Sequence, residues 1–379
     1  MVPINLIDFR SLILSGAEYQ GYNEHADLIT ETSDGAPLNA MWDEFQRIIA
    51  QWNAQRDPYI SYLTFPVTQP IESVRYPVEH DFEEASEYGE PKGIRLPPSF
   101  RMGYDFKWYD LAVRYTWRFL LDASSDQLRA LQNEALEADN RLMFSRIMKA
   151  IFNNVTRVAE IDNENINVYP FYNGDSQVPP KWKNTTHATA HQHYITSGAA
   201  TVDSGDLEAM LTHVTHHGYT VLNGYNLVLM VNPQEGDVIR TFTTGGGDKY
   251  TFIPTDNVGG GVFLPANSGI VGRPTIATVP GLPTIGTWGP LSVVEDEYIP
   301  AGYMVLLVSG GEDSINNPIG IRQHERQQGL SLVKGVTPDY PLMDSYYIHG
   351  FGTGIRHRGA GVVMEVTTDG TYDIPAEYV

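Results

Sequence analysis

The clearest pattern along the chain is an alternation of apolar and polar positions between Ile71 and Trp108. On the outgoing arm Val74, Tyr76, Val78 and Phe82 fall on one side, and Arg75, Glu79, Asp81 and Glu83 on the other. On the returning arm Ile94, Leu96, Phe100, Met102, Tyr104, Phe106 and Trp108 share a face opposite Arg95, Ser99, Arg101, Asp105 and Lys107. A period of two predicts two strands with one apolar face each. The segment between them, Ser86-Glu87-Tyr88-Gly89-Glu90-Pro91-Lys92-Gly93, has the composition of a turn. A two-stranded hairpin is marginally stable alone, so its apolar face needs a second surface. A neighbouring copy of the same chain is the expected cover.

Helical spacing appears in three places. Met41, Phe45, Ile48, Ile49 and Trp52 predict a helix from Leu38 to Asn53. Leu128, Leu131, Ala135, Ala138, Leu142, Ile147 and Ile151 predict a long helix from Ser124 to Asn154, opened by the capping box Ser124-Ser125-Asp126-Gln127. At ~1.5 Å per residue it spans roughly 45 Å. Leu207, Met210, Leu211 and Val214 predict a helix from Asp206 to His217, capped by Asp203 or Ser204 and stopped by Gly218. Between the first two, Tyr109 to Leu121 alternates in the phase opposite to the returning arm, which predicts a strand entered through a bulge or bend. Leu227 to Val231 reads as a buried strand, Thr243 to Val308 as short strands with glycine-rich loops, and Ile348 to Thr368 as returning strand.

The 379 residues suffice for a large core and more than one domain. The absence of cysteine removes disulfides, thiolate metal sites and cysteine nucleophiles, and is compatible with assembly in a reducing cytoplasm. A net charge of -21 argues against direct binding of a nucleic-acid backbone, which depends on Lys and Arg, and favours solubility. Neither a secretory signal nor an apolar run of membrane-spanning length is present.

Catalytic patterns are weak. His187, His191 and His193 form one run, and His213, His216 and His217 another. His213 and His217 have the helical spacing of zinc ligands, but Val214 stands where a zincin carries glutamate. The expectation is histidines stabilised at a helix C-terminus, with no metal, no cofactor and no catalytic residue; the rival is a histidine-dependent metalloenzyme. Gly245-Gly246-Gly247-Asp248-Lys249 lacks the ending of a phosphate loop. The hairpin acids are more suggestive. Glu79, Asp81, Glu83, Glu84, Glu87 and Glu90 cluster with no Lys or Arg among them until Lys92, and lie beside the apolar Val78 and Phe82. They are expected to latch onto a basic patch of another subunit, with Arg141, Arg146, Lys149, Arg356 and Arg358 as candidate partners.

The order of parts resembles the major capsid proteins of tailed bacteriophages, the Hong Kong 97-type fold. The wording is similar to those of phages infecting actinobacteria in Trp108-Tyr109-Asp110-Leu111-Ala112, Leu136-Glu137-Ala138-Asp139-Asn140-Arg141-Leu142, and Tyr172-Asn173-Gly174-Asp175. The same holds for the stretch from Ser197 to Asp206, for Val231-Asn232-Pro233, and for Gly352-Thr353-Gly354-Ile355-Arg356-His357-Arg358-Gly359-Ala360. The resemblance runs from about Tyr59 to the C-terminus. It implies an α+β fold with an N-terminal arm (1–57) and an extended loop (58–104) lying over a neighbour. A peripheral domain (105–161 and 342–379) carries the spine helix, and an axial domain occupies 162–341. It also implies a non-enzymatic protein that forms hexamers and pentamers of an icosahedral shell around double-stranded DNA in the virion. Assembly in the host cytoplasm, with a portal and a decoration protein as further partners, follows from the same source. An encapsulin-like compartment is the alternative within the fold. The short arm leaves no room for a cleaved scaffolding segment, so a separate scaffolding protein is expected. Lys92 suits an isopeptide cross-link, but no asparagine follows Asn317, so that route is not expected.

Overall fold

The computed structural model describes residues 29–54, 58–74, 84, 88, 89, 93, 100–113, 115–161, 163–183, 185–255, 282–333 and 345–379. They divide into two compact units. One is drawn from Met1–Gln51, Leu111–Ala135 and Leu332–Tyr347, the other from Trp52–Asp110, Leu136–Ser331 and Ile348–Val379.

The larger unit is organised by a seven-stranded sheet. Its strands, in spatial order, are Tyr194–Thr196, Gly361–Glu365, Tyr303–Ser309, Asn226–Val231, Leu291–Glu295, Thr284–Trp288 and Phe252–Pro254. Its central strands are apolar at successive positions because both faces are covered. Leu227, Leu229 and Val231 join Met304, Leu306, Val362 and Met364 on one side, where the helix Ser204–Thr215 contributes Leu207, Met210 and Val214. Val228, Met230, Val305, Leu307 and Val363 face the other side, where Met143, Ile147, Met148, Ile151 and Phe152 of the long helix pack. The parallel pairing of Asn226–Val231 with Leu291–Glu295 and its antiparallel pairing with Tyr303–Ser309 make this run the middle of the sheet.

The long helix runs Ser125–Phe152, within two residues of expectation. Its capping box forms: Ser124 N donates to Gln127 Oε1 at 3.0 Å, and Gln127 N donates to Ser124 Oγ at 3.4 Å. The helix Ser204–Thr215 is capped by Asp203, with a reciprocal bond from the backbone of Asp203 to Asp206. In the smaller unit Leu38, Met41, Trp42 and Phe45 of the helix Leu38–Ala54 pack with Tyr115, Leu120 and Leu128.

One predicted strand is corrected. Lys107–Val113 is a strand, continuous across Trp108 and Tyr109, but Trp117–Asp122 is a helix. Thr116 caps it, its hydroxyl accepting from Phe119 N at 3.2 Å. Burial does not follow the alternation there, since Leu121 is exposed and Leu120 is buried, and the capping threonine starts a helix instead.

The base of the hairpin is an antiparallel pair, Ile71–Val74 against Phe100–Gly103, with Ile71 opposite Gly103 and Val74 opposite Phe100. The arms beyond, 75–83 and 94–99, lie outside the described residues. Where the returning arm is described, its apolar face is seated on its own chain. Met102 and Tyr104 are buried. Beneath them the strand Ser345–Ile355 presents Gly350, Gly352 and Gly354 at alternate positions, all on one face. A methyl group at Gly354 would sit 2.6 Å from Tyr104 Cδ1, and one at Gly350 2.8 Å from Phe106 Cζ. The glycines are what let the aromatic rings approach the strand.

Candidate functional site

Of the hairpin residues expected at a subunit interface, Glu84 is described and exposed. Val78, Glu79, Asp81, Phe82, Glu83, Glu87, Glu90 and Lys92 lie outside the described residues. Tyr88, at the turn, is 93% exposed.

The five basic candidates occupy very different environments. Arg141 is exposed and lies 3.6 Å from Glu137 one helical turn away. Arg146 is half-buried, with its guanidinium 5.2 Å from the centre of the Tyr109 ring. Lys149 donates to the backbone oxygen of Val379. Arg356 pairs with Glu72 at 2.7 Å, and Glu72 also accepts from the Tyr104 hydroxyl at 2.8 Å, so the base of the hairpin ties to the last long strand.

Arg358 is an internal bracket rather than a surface cation. Its side chain is fully buried, and its guanidinium lies 2.9 Å from Asp175. It also donates to the carbonyls of Pro170 at 2.8 Å and Phe171 at 3.3 Å, and to Asn173 Oδ1 at 3.2 Å. The ring of Tyr172 lies 4.7 Å from it. A buried guanidinium is tolerable only when paired and fully hydrogen-bonded, and these partners supply that. Two of the stretches that carried the resemblance, Tyr172-Asn173-Gly174-Asp175 and Gly352 to Ala360, therefore meet at one ion pair.

A second buried pair had no signal in the sequence. His349 Nδ1 lies 2.6 Å from Asp139 Oδ1, both side chains at or below 5% exposure. Trp52 Nε1 donates to the other carboxylate oxygen at 3.3 Å.

The two histidine runs, read in the sequence as separate features, are one cluster. His187, His191 and His193 precede the edge strand Tyr194–Thr196; His213 lies in the last turn of the helix Ser204–Thr215, His216 is its C-cap and His217 follows. Gly218, at φ +90°, turns the chain away, and a side chain there would strike the Trp182 ring. The Nε2 atoms of His191, His193 and His217 are mutually 3.0 Å apart. His216 Nε2 lies 3.1 Å from that of His217 and 3.3 Å from that of His191. His187 and His213 complete two overlapping four-histidine groups within ligation distance. Burial, and then the repulsion of like charges on neighbouring rings, pushes His191 down to about 4 and His216 to about 3. Burial first, and then the neighbouring rings, lowers His193 and His217 as well, which favours the neutral imidazoles. Neutral imidazoles with free Nε2 lone pairs are the form that ligates a metal.

No protein-family model and no curated protein matches the chain. A solved structure from Mycobacterium phage Patience is 40% identical over 96% of this chain and 97% of its own, with a TM-score of 0.69. The capsid of an empty GTA particle matches at 14% identity, over 80% of this chain and 88% of that one, with a TM-score of 0.44. The holo-SrpI encapsulin complex from Synechococcus elongatus PCC 7942 matches at 14% identity over 98% and 99% of the two chains, with a TM-score of 0.43. The mixed helix-and-sheet body, with its long helix and hairpin base, is that of a phage shell subunit. The chain belongs to the Hong Kong 97-type major capsid proteins of tailed bacteriophages, of the kind found in phages of actinobacteria. Its role is structural, in the icosahedral capsid of the virion.

Proposed function

We propose that the chain closes into hexamers and pentamers, which together enclose the double-stranded DNA genome. The near full-length match at 40% identity supports this reading, because so complete an overlap carries the assembly surfaces along with the core. On this reading residues 1–57 are an arm and 58–104 a loop laid over the adjacent subunit. Residues 105–161 with 342–379 form the peripheral domain, and 162–341 the axial domain. Heterologous contacts within a ring close when the rotation closes, and many modest contacts add through multivalency. The acids of the hairpin tip set register against cations of a neighbour, with exposed Arg141 and half-buried Arg146 and Lys149 as the candidates. Scaffolding, portal and decoration proteins are the expected partners, and assembly takes place in the host cytoplasm. The protein works without an enzymatic step.

Negative-stain electron microscopy of the expressed chain, alone and with a scaffolding partner, tests the proposal. Closed shells built of six-fold and five-fold capsomers are the expected result. A monodisperse monomer under all conditions would overturn it.

A further inference from the structure

The histidine cluster poses a problem that protons alone do not solve. His193 Nδ1 lies 2.6 Å from the carbonyl oxygen of Gly361. A carbonyl only accepts, so Nδ1 carries the proton and the neutral ring presents a lone pair at Nε2. Nε2 of His191 and of His217 each lie 3.0 Å from that lone pair and 3.0 Å from one another. Each offers one N–H or one lone pair. If both donate to His193, their own two N–H groups face each other. If either changes tautomer, two lone pairs face each other instead. Every neutral arrangement of this triangle leaves at least one repulsive contact. His216 Nε2 crowds the same point. Beside them, His187 Nε2 and His213 Nδ1 are buried without a hydrogen-bond partner, which is costly for a polar atom.

A central cation removes these conflicts together, because each nitrogen then directs a lone pair at it. Nitrogens held about 2.0–2.1 Å from a tetrahedral zinc ion stand about 3.3–3.4 Å apart. The five Nε2 separations here run from 3.0 to 3.3 Å. The donors are all imidazole, a set that suits zinc, copper and nickel rather than calcium or magnesium.

We propose that the protein binds one divalent transition-metal ion of the zinc class through Nε2 of His191, His193, His216 and His217, with His187 and His213 beside it. The Gly361 carbonyl is the outer partner that holds the His193 tautomer and aims its ring. Four protein ligands close the site, so the ion is structural and not catalytic. It staples the 187–193 loop to the end of the helix Ser204–Thr215. Through His193 it also reaches the sheet, where His193 N donates to Tyr172 O at 2.7 Å and Val363 N donates to His193 O at 2.8 Å. The site goes beyond the shell-forming role and stands without it.

The test uses the full-length chain prepared without a histidine tag, stripped with chelator and titrated with Zn²⁺ and, separately, Co²⁺. One ion per chain, a tetrahedral Co²⁺ absorption spectrum and a thermal midpoint raised by several degrees at about 100-fold excess over the dissociation constant are expected. The paired variant His191→Ala, His217→Ala is expected to weaken binding at least 100-fold, and His324→Ala, outside the cluster, to leave it unchanged. Binding unaffected by the paired variant would overturn the site. The wild-type titration decides the matter even if that variant fails to fold: no bound ion, or an octahedral spectrum with no thermal shift, overturns the site equally.

Discussion

The ring of Tyr104 lies directly over Gly354, close enough that a single added methyl would stand 2.6 Å from its Cδ1. Gly320, on the neighbouring strand, lies under the same ring, with its methyl position 3.1 Å from Tyr104 Cζ. The hairpin is thus anchored at its root by an aromatic residue pressed onto glycines of two strands, and its hydroxyl reaches Glu72 on the other arm. Gly354→Ala is expected to lower unfolding stability by about 1–3 kcal/mol, the usual cost of overpacking a filled core. Tyr104→Ala is expected to cost about 3–5 kcal/mol by leaving a cavity. Urea titration of the isolated subunit, followed by tryptophan fluorescence, measures both.

The Arg358–Asp175 pair offers a sharper contrast. Asp175→Asn leaves the guanidinium buried without its counter-ion, and a loss of about 3 kcal/mol is expected. That is the lower end for breaking a buried pair, since the Asp175 side chain keeps 17% exposure. Combining it with Arg358→Met removes the stranded charge. The double variant is expected to be less destabilised than the sum of the single variants, and a double-mutant cycle by denaturant unfolding reads the difference.

Acid sensitivity has a local source at the start of the long helix. Asp34 accepts from the Ser125 hydroxyl at 2.6 Å and from Ser125 N at 3.0 Å, with Thr32 as a further donor. These bonds, the Ser125 hydroxyl first, hold its carboxyl well below its ordinary value of 3.8. The unfolded chain therefore takes up the proton first. The stabilisation is fully present above about pH 4 and is lost as pH falls below it. The Asp34→Asn variant is expected to have a lower thermal midpoint than the wild type at neutral pH. Its midpoint is also expected to fall less steeply on acidification toward pH 3. Differential scanning fluorimetry across that range checks both.

Removal of Ser86 to Lys92 separates assembly from folding. The anchored root, Ile71–Val74 with Phe100–Gly103, stays intact. Subunits with unchanged circular dichroism but impaired shell formation in electron micrographs are expected. Shells as numerous and as stable as the wild type's would show that the tip does not set register.

Much of the secondary structure was legible because it is written at short range. The long helix, the helix from Leu38, the Asp203 cap and the apolar run at Leu227 to Val231 each depend on residues within a few positions of one another. The segment Trp117–Asp122 misled because its alternation satisfied a strand while Thr116 favoured a helix. Arg358 read as a surface cation because nothing nearby in the sequence shows that Asp175 closes over it.

What the sequence determined by itself was the set of elements and their apolar faces, since periods of two and of 3.6 follow from backbone geometry alone. Through its longer stretches of wording it also indicated the family. Only the tertiary structure decided which faces meet. It brought the returning arm onto the glycines of a strand some two hundred and fifty residues later, and paired Asp139 with His349. It also drew the histidines of a loop and of a helix end to within 3.0 to 3.3 Å of each other. Such contacts join residues distant along the chain, and the pattern on either side carries no mark of its partner until the fold closes.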